Sequence, residues 1–356
     1  MTRKLLLPLL LLALALGLSG CGAIGHWSQA AGGHLGILRG ARPVPEVLAD
    51  PATPPDLAER LRLSQQMRDF ASQRLALPDN NSYRRYADLH RSAAVWNVVA
   101  APAFSLDLKT WCYPVMGCAG YQGWFEADEA QRQAEGLKAE GWEVQVQAIP
   151  AYSSLGWSRL FGGDPLLNTF IGYPEGELAA MLFHELAHQR VYVADDTGFN
   201  EAYASAVELI GARQWLADKP SALAAFEAGR ERRARFLKLA REGRERLLQA
   251  YSGPPETRAA AKAAVMADLR ERAPREAPGY EAWFQRANNA SFAILAAYDE
   301  LVPAFERLFE CEGRDWARFH AAVEALKPLS RDERRATLKA QGGPADEPDP
   351  APRQTR

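Results

Sequence analysis

Apolar residues follow two different periods along the chain, and each period predicts a different kind of element. Residues 142–148 alternate apolar and polar side chains, which is the pattern of a strand with one buried face. Pro150 ends this strand, because proline cannot donate to a sheet ladder. Residues 95–101 are mostly apolar and contain three valines, which predicts a buried strand.

Helical spacing dominates the rest of the chain. Asp56–Leu75 places apolar residues at helical intervals among charged ones, and Glu129–Glu140 consists of good helix formers. Pro174, with Glu175 and Glu177 behind it, marks another helix start, because proline fits a first turn and acidic residues favour a helix N-terminus. Beyond it the pattern predicts helices near 200–217, 221–250, 257–273, 280–311 and 314–326.

Together these elements predict an α+β fold that is predominantly helical, in one body from residue 56 to 340. A small sheet from about 94 to 160 is expected to lie over the helix that starts at Pro174. Residues 341–356 are rich in proline, aspartate and glycine and are expected to be disordered.

The N-terminus carries an export signal. Arg3 and Lys4 precede an apolar stretch, Leu5–Leu16, that would span only about 18 Å as a helix. This length falls short of the roughly 30 Å of a bilayer core, so residues 1–20 are predicted to be a signal peptide.

The signal is followed by a candidate anchor. Residues 18–21, LSGC, resemble a bacterial lipobox, in which Cys21 becomes the lipidated N-terminus. An ordinary signal cleaved at another small residue is the alternative. Gly22 in place of aspartate resembles the sorting signal for the outer membrane, facing the periplasm. Residues 21–55 are then the lipidated N-terminus and a tether.

Charge and cysteine usage narrow the partners. Lys plus Arg total 42 against 44 for Asp plus Glu, and this balance gives no bias toward nucleic acid. In an oxidising compartment Cys112 and Cys118 are expected to form a local disulfide, with free thiols as the alternative. Cys311 has no partner nearby in sequence and is expected to be a buried small side chain.

The pentapeptide HELAH at 184–188 carries the candidate chemistry. His184 and His188 lie one helical turn apart on the same face, where two imidazoles can bind one Zn²⁺. Glu185 lies beside them and can act as general base toward a water activated by the metal. The alternative is two hydrogen-bonded histidines on an amphipathic helix.

A third ligand is expected on the following helix. Asp195 and Asp196 lie too far along the chain from His188 to bind the same ion, and their neighbours have turn chemistry. A second, antiparallel helix that opens at Asn200 would return Glu201 to the level of the histidines. Glu208 lies two turns later on the same face. It is the competing ligand, or a supporting residue behind the metal.

This His, His, Glu pattern resembles the gluzincin class of metallopeptidases, whose third ligand is a glutamate. The chain from roughly 60 to 335 further resembles the bacterial "putative aminopeptidase" lipoprotein family, which implies a zincin-like fold and one catalytic zinc ion. Ser205 departs from the thermolysin-like pattern, which has an aspartate at that position to orient a ligand histidine. The segments that carry the family resemblance are FHELAHQ at 183–189, DTGFNE at 196–201, WCYP at 111–114, AYSSLGW at 151–157 and DPLL at 164–167.

The remaining candidates concern the substrate. Tyr152 is the first candidate for the donor that stabilises the oxyanion, ahead of Tyr203 and Tyr192. The Gly-x-Met-Glu-Asn signature of helical aminopeptidases is absent, and an acidic group near the metal, such as Glu177 or Glu208, could bind a free substrate amine in its place. Asn288 and Asn289 could face the cleft or cap a helix.

The sequence therefore predicts a membrane-anchored zinc peptidase, an aminopeptidase by resemblance, with a peptide substrate and no obligate protein partner. One alternative is a periplasmic binding or assembly lipoprotein with a structural or vestigial zinc site. Another is a hydrolase of cell-wall peptides.

Overall fold

A computed structural model describes residues 29, 32–33, 35–113, 117–151, 163–194, 196–295 and 301–341. Over these residues the protein is mainly helical with small sheets, which confirms the predicted predominantly helical α+β class. In this part of the chain no helix is long and apolar enough to cross a membrane. The predicted signal peptide, Cys21, Tyr152 and the predicted tail beyond residue 341 lie outside the described residues.

All the described strands lie before residue 168, together with three of the helices, and only helices follow from residue 175 to 341. The helices are α1 Val44–Ala49, α2 Pro55–Arg74, α3 Ala127–Ala139, α4 Glu175–Arg190, α5 Thr197–Trp215, α6 Pro220–Ser252, α7 Pro255–Glu276, α8 Glu281–Arg286, α9 Asn289–Ile294, α10 Val302–Cys311, α11 Trp316–Ala325 and α12 Arg331–Gln341. The strands are β1 Arg42–Pro43, β2 Arg85–Ala87, β3 Val95–Ala101, β4 Trp111–Tyr113, β5 Gly117–Ala119, β6 Gln122–Trp124, β7 Glu143–Ile149 and β8 Leu166–Leu167.

The described residues divide into two compact units, and the single domain predicted over 56–340 stays a prediction. The first unit comprises the described residues within Met1–Arg62, Asn81–Tyr173 and Glu227–Ala296, and it holds all the strands of the described residues. The second unit comprises the described residues within Leu63–Asn80, Pro174–Phe226 and Ala297–Arg356. The candidate zinc ligands all belong to the second unit.

The largest sheet of the first unit has the order β6-β3-β7, with both pairs antiparallel. Val98 and Ala100 of β3 pack with the apolar side of α3, while Val99 and Ala101 pack with residues of α6 to α9. Successive strand side chains point to opposite faces, so a strand covered on both faces reads as a continuous apolar run. The edge strand β7 is covered less completely and alternates. The expectation that this sheet lies over α4, the helix that carries His184 and His188, stays a prediction.

The segment predicted as a tether over 21–55 is in part folded structure. Residues 35–40 are helical, and β1 and α1 follow directly. Ile37, Val44 and Val47 are buried. The glycine and proline content suggested a flexible linker, but these apolar side chains are buried in the protein, and a tether can include only residues before them.

The single helix predicted over 280–311 is wrong. The chain forms α8, α9 and α10 instead, because Ala287 leaves the helical region with ψ of 141° and Asn288 starts a new helix. The Asn288 side chain accepts from the Ser291 amide, and the Ser291 hydroxyl accepts from the Asn288 amide, which makes a capping box. Pro303 then lies in the first turn of α10.

In the second unit, α4 and α5 form an antiparallel pair with a close approach at Gly211. A Cβ atom there would lie 2.8 Å from Leu75 Cδ1 and 2.9 Å from Phe183 Cδ2, and both side chains are fully buried. The missing side chain therefore allows α5 to approach the helix that carries the histidines.

We expect Gly211→Val to lower the free energy of unfolding by roughly 1–3 kcal/mol, because the added side chain overpacks this contact. Gly136→Val is the matched control, since Gly136 is also helical but has open space around its Cβ position. Denaturant unfolding of both variants checks the prediction. Equal stability of the two would show that the close approach does not require glycine.

Candidate metal centre

Helix α4 is buried over most of its circumference, and its ends are held by polar contacts within the second unit. Leu178, Leu182 and Leu186 are fully buried. At its start, Glu175 accepts hydrogen bonds from Trp215 Nε1 at 2.8 Å and from Lys219 Nζ at 2.6 Å. At its end, Arg190 pairs with Glu324 at 2.6 Å. The histidines are therefore carried on a helix with little freedom to shift.

Three donor groups converge between α4 and α5. The Nε2 atoms of His184 and His188 lie 3.1 Å apart. The carboxylate of Glu201 lies 3.3 Å from His184 Nε2 and 3.6 Å from His188 Nε2. One ligand atom from each side chain falls within a 4.8 Å cluster. The antiparallel return of α5 thus brings Glu201 to the histidines, as its spacing predicted.

Glu208 lies behind this cluster, at the other nitrogen of a candidate ligand. Its carboxylate is 2.8 Å from His184 Nδ1. A proton on Nδ1 then donates to Glu208 and leaves the Nε2 lone pair directed at the cluster, which is the tautomer that a metal ligand needs. Ser205 lacks the carboxylate of the thermolysin-like pattern, whereas Glu208, one turn later, contacts His184 Nδ1.

The electrostatics of the cluster call for a cation. Burial alone would lower the pKa of His184, but the carboxylates of Glu201 and Glu208 outweigh it and raise that pKa well above its ordinary value. Burial and the neighbouring His184 lower the pKa of His188 to about 4. The cluster therefore favours one positive charge at the two histidines, supplied by a proton or by a metal ion.

These residues fit a zinc ion. Two Nε2 lone pairs and a carboxylate at 3.1–3.6 Å repel one another unless a proton or metal ion lies among them. Two imidazoles and one carboxylate are also the donor set that zinc takes at catalytic sites. His188 Nδ1 is buried without a hydrogen-bond partner among the described residues. The buried His188 therefore relies on its Nε2 for compensation.

The loop between the two helices is fixed by side chains that the sequence assigned to turn chemistry. Helix α5 begins at Thr197, not at Asn200, because Asp196 caps it by accepting from the Phe199 amide at 3.3 Å. Asn200 accepts from the Val193 amide at 2.9 Å and donates to the Val193 carbonyl at 2.7 Å. Asp196 is buried in an ion pair with Arg334, outside the cluster of His184, His188 and Glu201.

The candidate substrate-binding residues fall in different places. Glu185 is half-buried on the metal helix, next to His184. Tyr203 does not fit the role of oxyanion donor, because its hydroxyl is fully buried against His320 Nδ1 at 2.8 Å. Tyr192 is 43% exposed, in the loop after α4. Glu177 is exposed on the first turn of α4, about 10 Å along the helix from His184.

Asn288 and Asn289 make hydrogen bonds that stabilise the fold. Asn288 caps α9, and Asn289 donates to the carbonyls of Pro102, Ala103 and Ser105.

Cys112 and Cys118 face each other across the β4–β5 hairpin and form a disulfide. Cys311 is exposed, and the expectation that it is buried is wrong, because it ends α10 on the solvent side.

His320 is a buried residue that its spacing did not single out. Its Nε2 donates to the Leu75 carbonyl at 2.9 Å, which leaves Nδ1 to accept from the Tyr203 hydroxyl. Burial lowers the pKa of His320 to about 4, against its ordinary 6.5. No sequence motif marks this contact, because Leu75, Tyr203 and His320 are far apart along the chain.

We expect His320 to make the metal-free protein acid-sensitive. Its folded-state pKa is lowered, so its contribution to stability is present above pH 6.5 and is lost as the pH falls toward 4. The loss is about 3 kcal/mol, because folding lowers the pKa from 6.5 to about 4. The measurement is denaturant unfolding at pH 7 and pH 4 for the wild type, His320→Gln and, as the exposed control, His90→Gln. Equal pH dependence in all three proteins would contradict this role.

A family model described as "Putative aminopeptidase" matches residues 25–338, which include the whole candidate metal centre. No curated protein and no solved structure matches the chain.

Proposed function

Because the chain belongs to the "Putative aminopeptidase" family, we propose that it is a zinc-dependent peptidase whose active centre is formed by His184, His188 and Glu201. The observation that carries the proposal is the convergence of these three donors, with Glu185 next to His184 on the same helix. The family description supports a peptidase. The donor set supports a zinc enzyme.

Each side chain of the centre has a defined task. The two Nε2 atoms and the Glu201 carboxylate hold the ion, and Glu208 keeps His184 in the tautomer and orientation for binding. When bound, Zn²⁺ supplies Lewis-acid chemistry that polarises a peptide carbonyl and makes water more acidic. Glu185 accepts the proton of the attacking water at its carboxylate and then passes it to the leaving amine.

Three donors rather than four favour a catalytic site. Structural zinc sites are closed by four protein ligands, whereas catalytic sites keep one position open for water or substrate. Within the described ranges, the cluster consists of His184, His188 and Glu201 alone. A zinc ion held by these three residues alone could also bind water or the substrate carbonyl.

The enzyme would also be attached to a membrane. Cys21 would carry the lipid anchor and hold the protein at the outer membrane on its periplasmic side. Tyr152 would donate to the oxyanion. Both residues lie outside the described ranges, so the lipobox pattern and the position of Tyr152 before the metal helix are their support.

The test is digestion of a peptide mixture by the zinc-loaded protein, followed by mass spectrometry, with free and acetylated N-termini in the same mixture. Loss of single residues from free N-termini alone identifies an aminopeptidase, and internal cuts identify an endopeptidase. Cell-wall peptide crosslinks are tested in parallel. A protein that binds zinc and cleaves none of these substrates would contradict the enzymatic function and favour a structural zinc site.

A further inference from the structure

Helix α12 contacts the start of α5, the helix that carries Glu201. Asp196 caps α5 and is 2% exposed, and Glu201 follows five residues later, in the second turn. A cap residue sets where a helix begins and in which direction its first turns run. Any group that holds Asp196 therefore also influences the position of Glu201.

Arg334 of α12 is the group that holds Asp196. Its Nη1 pairs with Asp196 Oδ2, while its Nη2 donates to the Leu329 carbonyl at 2.8 Å and its Nε to the Leu326 carbonyl at 3.3 Å. The guanidinium also lies over the Phe199 ring, 5.2 Å from its centroid. All three nitrogens are engaged, so the guanidinium has one orientation.

The neighbouring arginines do not make the same contact. Arg331 and Arg335 lie 3.9 Å and 3.8 Å from Asp196 Oδ1, and their side chains are 64% and 29% exposed. Arg334 is 6% exposed, so its charge and that of Asp196 are removed from water and compensate each other. Of the three, Arg334 alone is buried against the cap.

We propose that Arg334 is a positioning residue for the metal centre: through Asp196 it holds Glu201 at the two histidines. The inference rests on the proposed function, since it assumes that Glu201 is a zinc ligand. The Glu201 oxygens lie 3.3 Å and 3.6 Å from the two Nε2 atoms, so a shift of about 1 Å at the start of α5 is enough to spoil coordination. Through this contact, α12 contributes to zinc retention as well as to stability.

The test compares zinc affinity in Arg334→Met, Arg334→Lys and two controls, using competition with a chelator. We expect the dissociation constant of Arg334→Met to rise about 10-fold or more, as for other residues that support metal ligands. Arg334→Lys keeps the positive charge but cannot make all the hydrogen bonds of the three guanidinium nitrogens. We expect its zinc affinity to lie between those of the wild type and Arg334→Met.

The controls separate positioning from general destabilisation. Leu338→Ala removes a fully buried side chain from the same helix without touching Asp196, and Arg331→Met removes an exposed neighbouring charge. Both should keep zinc affinity within about two-fold of the wild type, although Leu338→Ala lowers the melting temperature. The visible spectrum of the cobalt-loaded protein reports ligand geometry, so it should change in Arg334→Met but in neither control.

Each outcome has one consequence. Zinc affinity that falls equally in Arg334→Met and Leu338→Ala would overturn the positioning role, and so would unchanged affinity and spectrum in Arg334→Met. If Arg334→Met does not fold, Arg334→Lys supplies the same comparison. A wild-type protein that binds no zinc would instead refute the proposed function, so the two failures are distinguishable.

Discussion

Replacing Glu185 by glutamine should abolish hydrolysis while the protein keeps its zinc. Glutamine has nearly the shape of glutamate but cannot accept a proton at neutral pH, and general acid–base catalysis contributes about 10²–10⁴-fold to rate. Glu185 does not belong to the donor cluster formed by His184, His188 and Glu201. We therefore expect kcat to fall at least 100-fold with no change in zinc content.

The matched control for this variant is Glu177→Gln. Glu177 is another acidic residue of α4, but it is exposed and lies two turns before His184, about 10 Å along the helix, so we do not expect it to bind the amine of a substrate held at the metal centre. Peptide cleavage by Glu177→Gln should equal that of the wild type, and zinc content is measured for both variants. A Glu185→Gln protein that retains a tenth or more of the wild-type rate would rule out Glu185 as the general base.

Replacing Glu201 by alanine should cost the protein its zinc. This carboxylate is the third donor of the cluster, and its pKa is lowered because the two imidazoles outweigh the effect of burial. Support residues behind a ligand contribute about 10–100-fold to metal affinity, and a ligand itself contributes more. We expect the zinc dissociation constant to rise more than 100-fold.

Glu208→Ala is the comparison that tests the division of roles between the two glutamates. Glu208 contacts Nδ1 of His184, not the Nε2 atoms, so its loss should weaken zinc binding by only about 10–100-fold. Chelator competition measures both constants. The opposite order, with Glu208→Ala losing zinc and Glu201→Ala keeping it, would move the third ligand to Glu208.

Local geometry explains which features could be read from the sequence. The spacing of His184 and His188 places them on one helical face in any α-helix, so the pair is evident without a tertiary structure. Strand β3 spans 95–101, as its run of apolar residues predicted, because a strand covered on both faces needs such a run. Strand β7 lies within one residue of the predicted alternating segment.

Other expectations failed because packing outweighs composition. The glycines and prolines before residue 55 suggested a tether, but the apolar side chains among them are buried. The helical pattern over 280–311 continues in the sequence through Ala287, but there the chain turns out of the helix, because Asn288 caps α9 and also donates to the Val144 carbonyl at 3.0 Å. Propensity is a weak prior in both places, since tertiary contacts supply most of the stability of a helix.

The donor types, their helical spacing and the predominantly helical class follow from the amino-acid sequence, because they depend on residues close together along the chain. In contrast, the packing of the folded chain is what makes Glu201 face both Nε2 atoms while Glu208 faces Nδ1, and what buries Arg334 against Asp196. These contacts join residues from separate helices. Their distances follow from how the helices pack, which depends on buried side chains such as Phe183 and on the space left by Gly211.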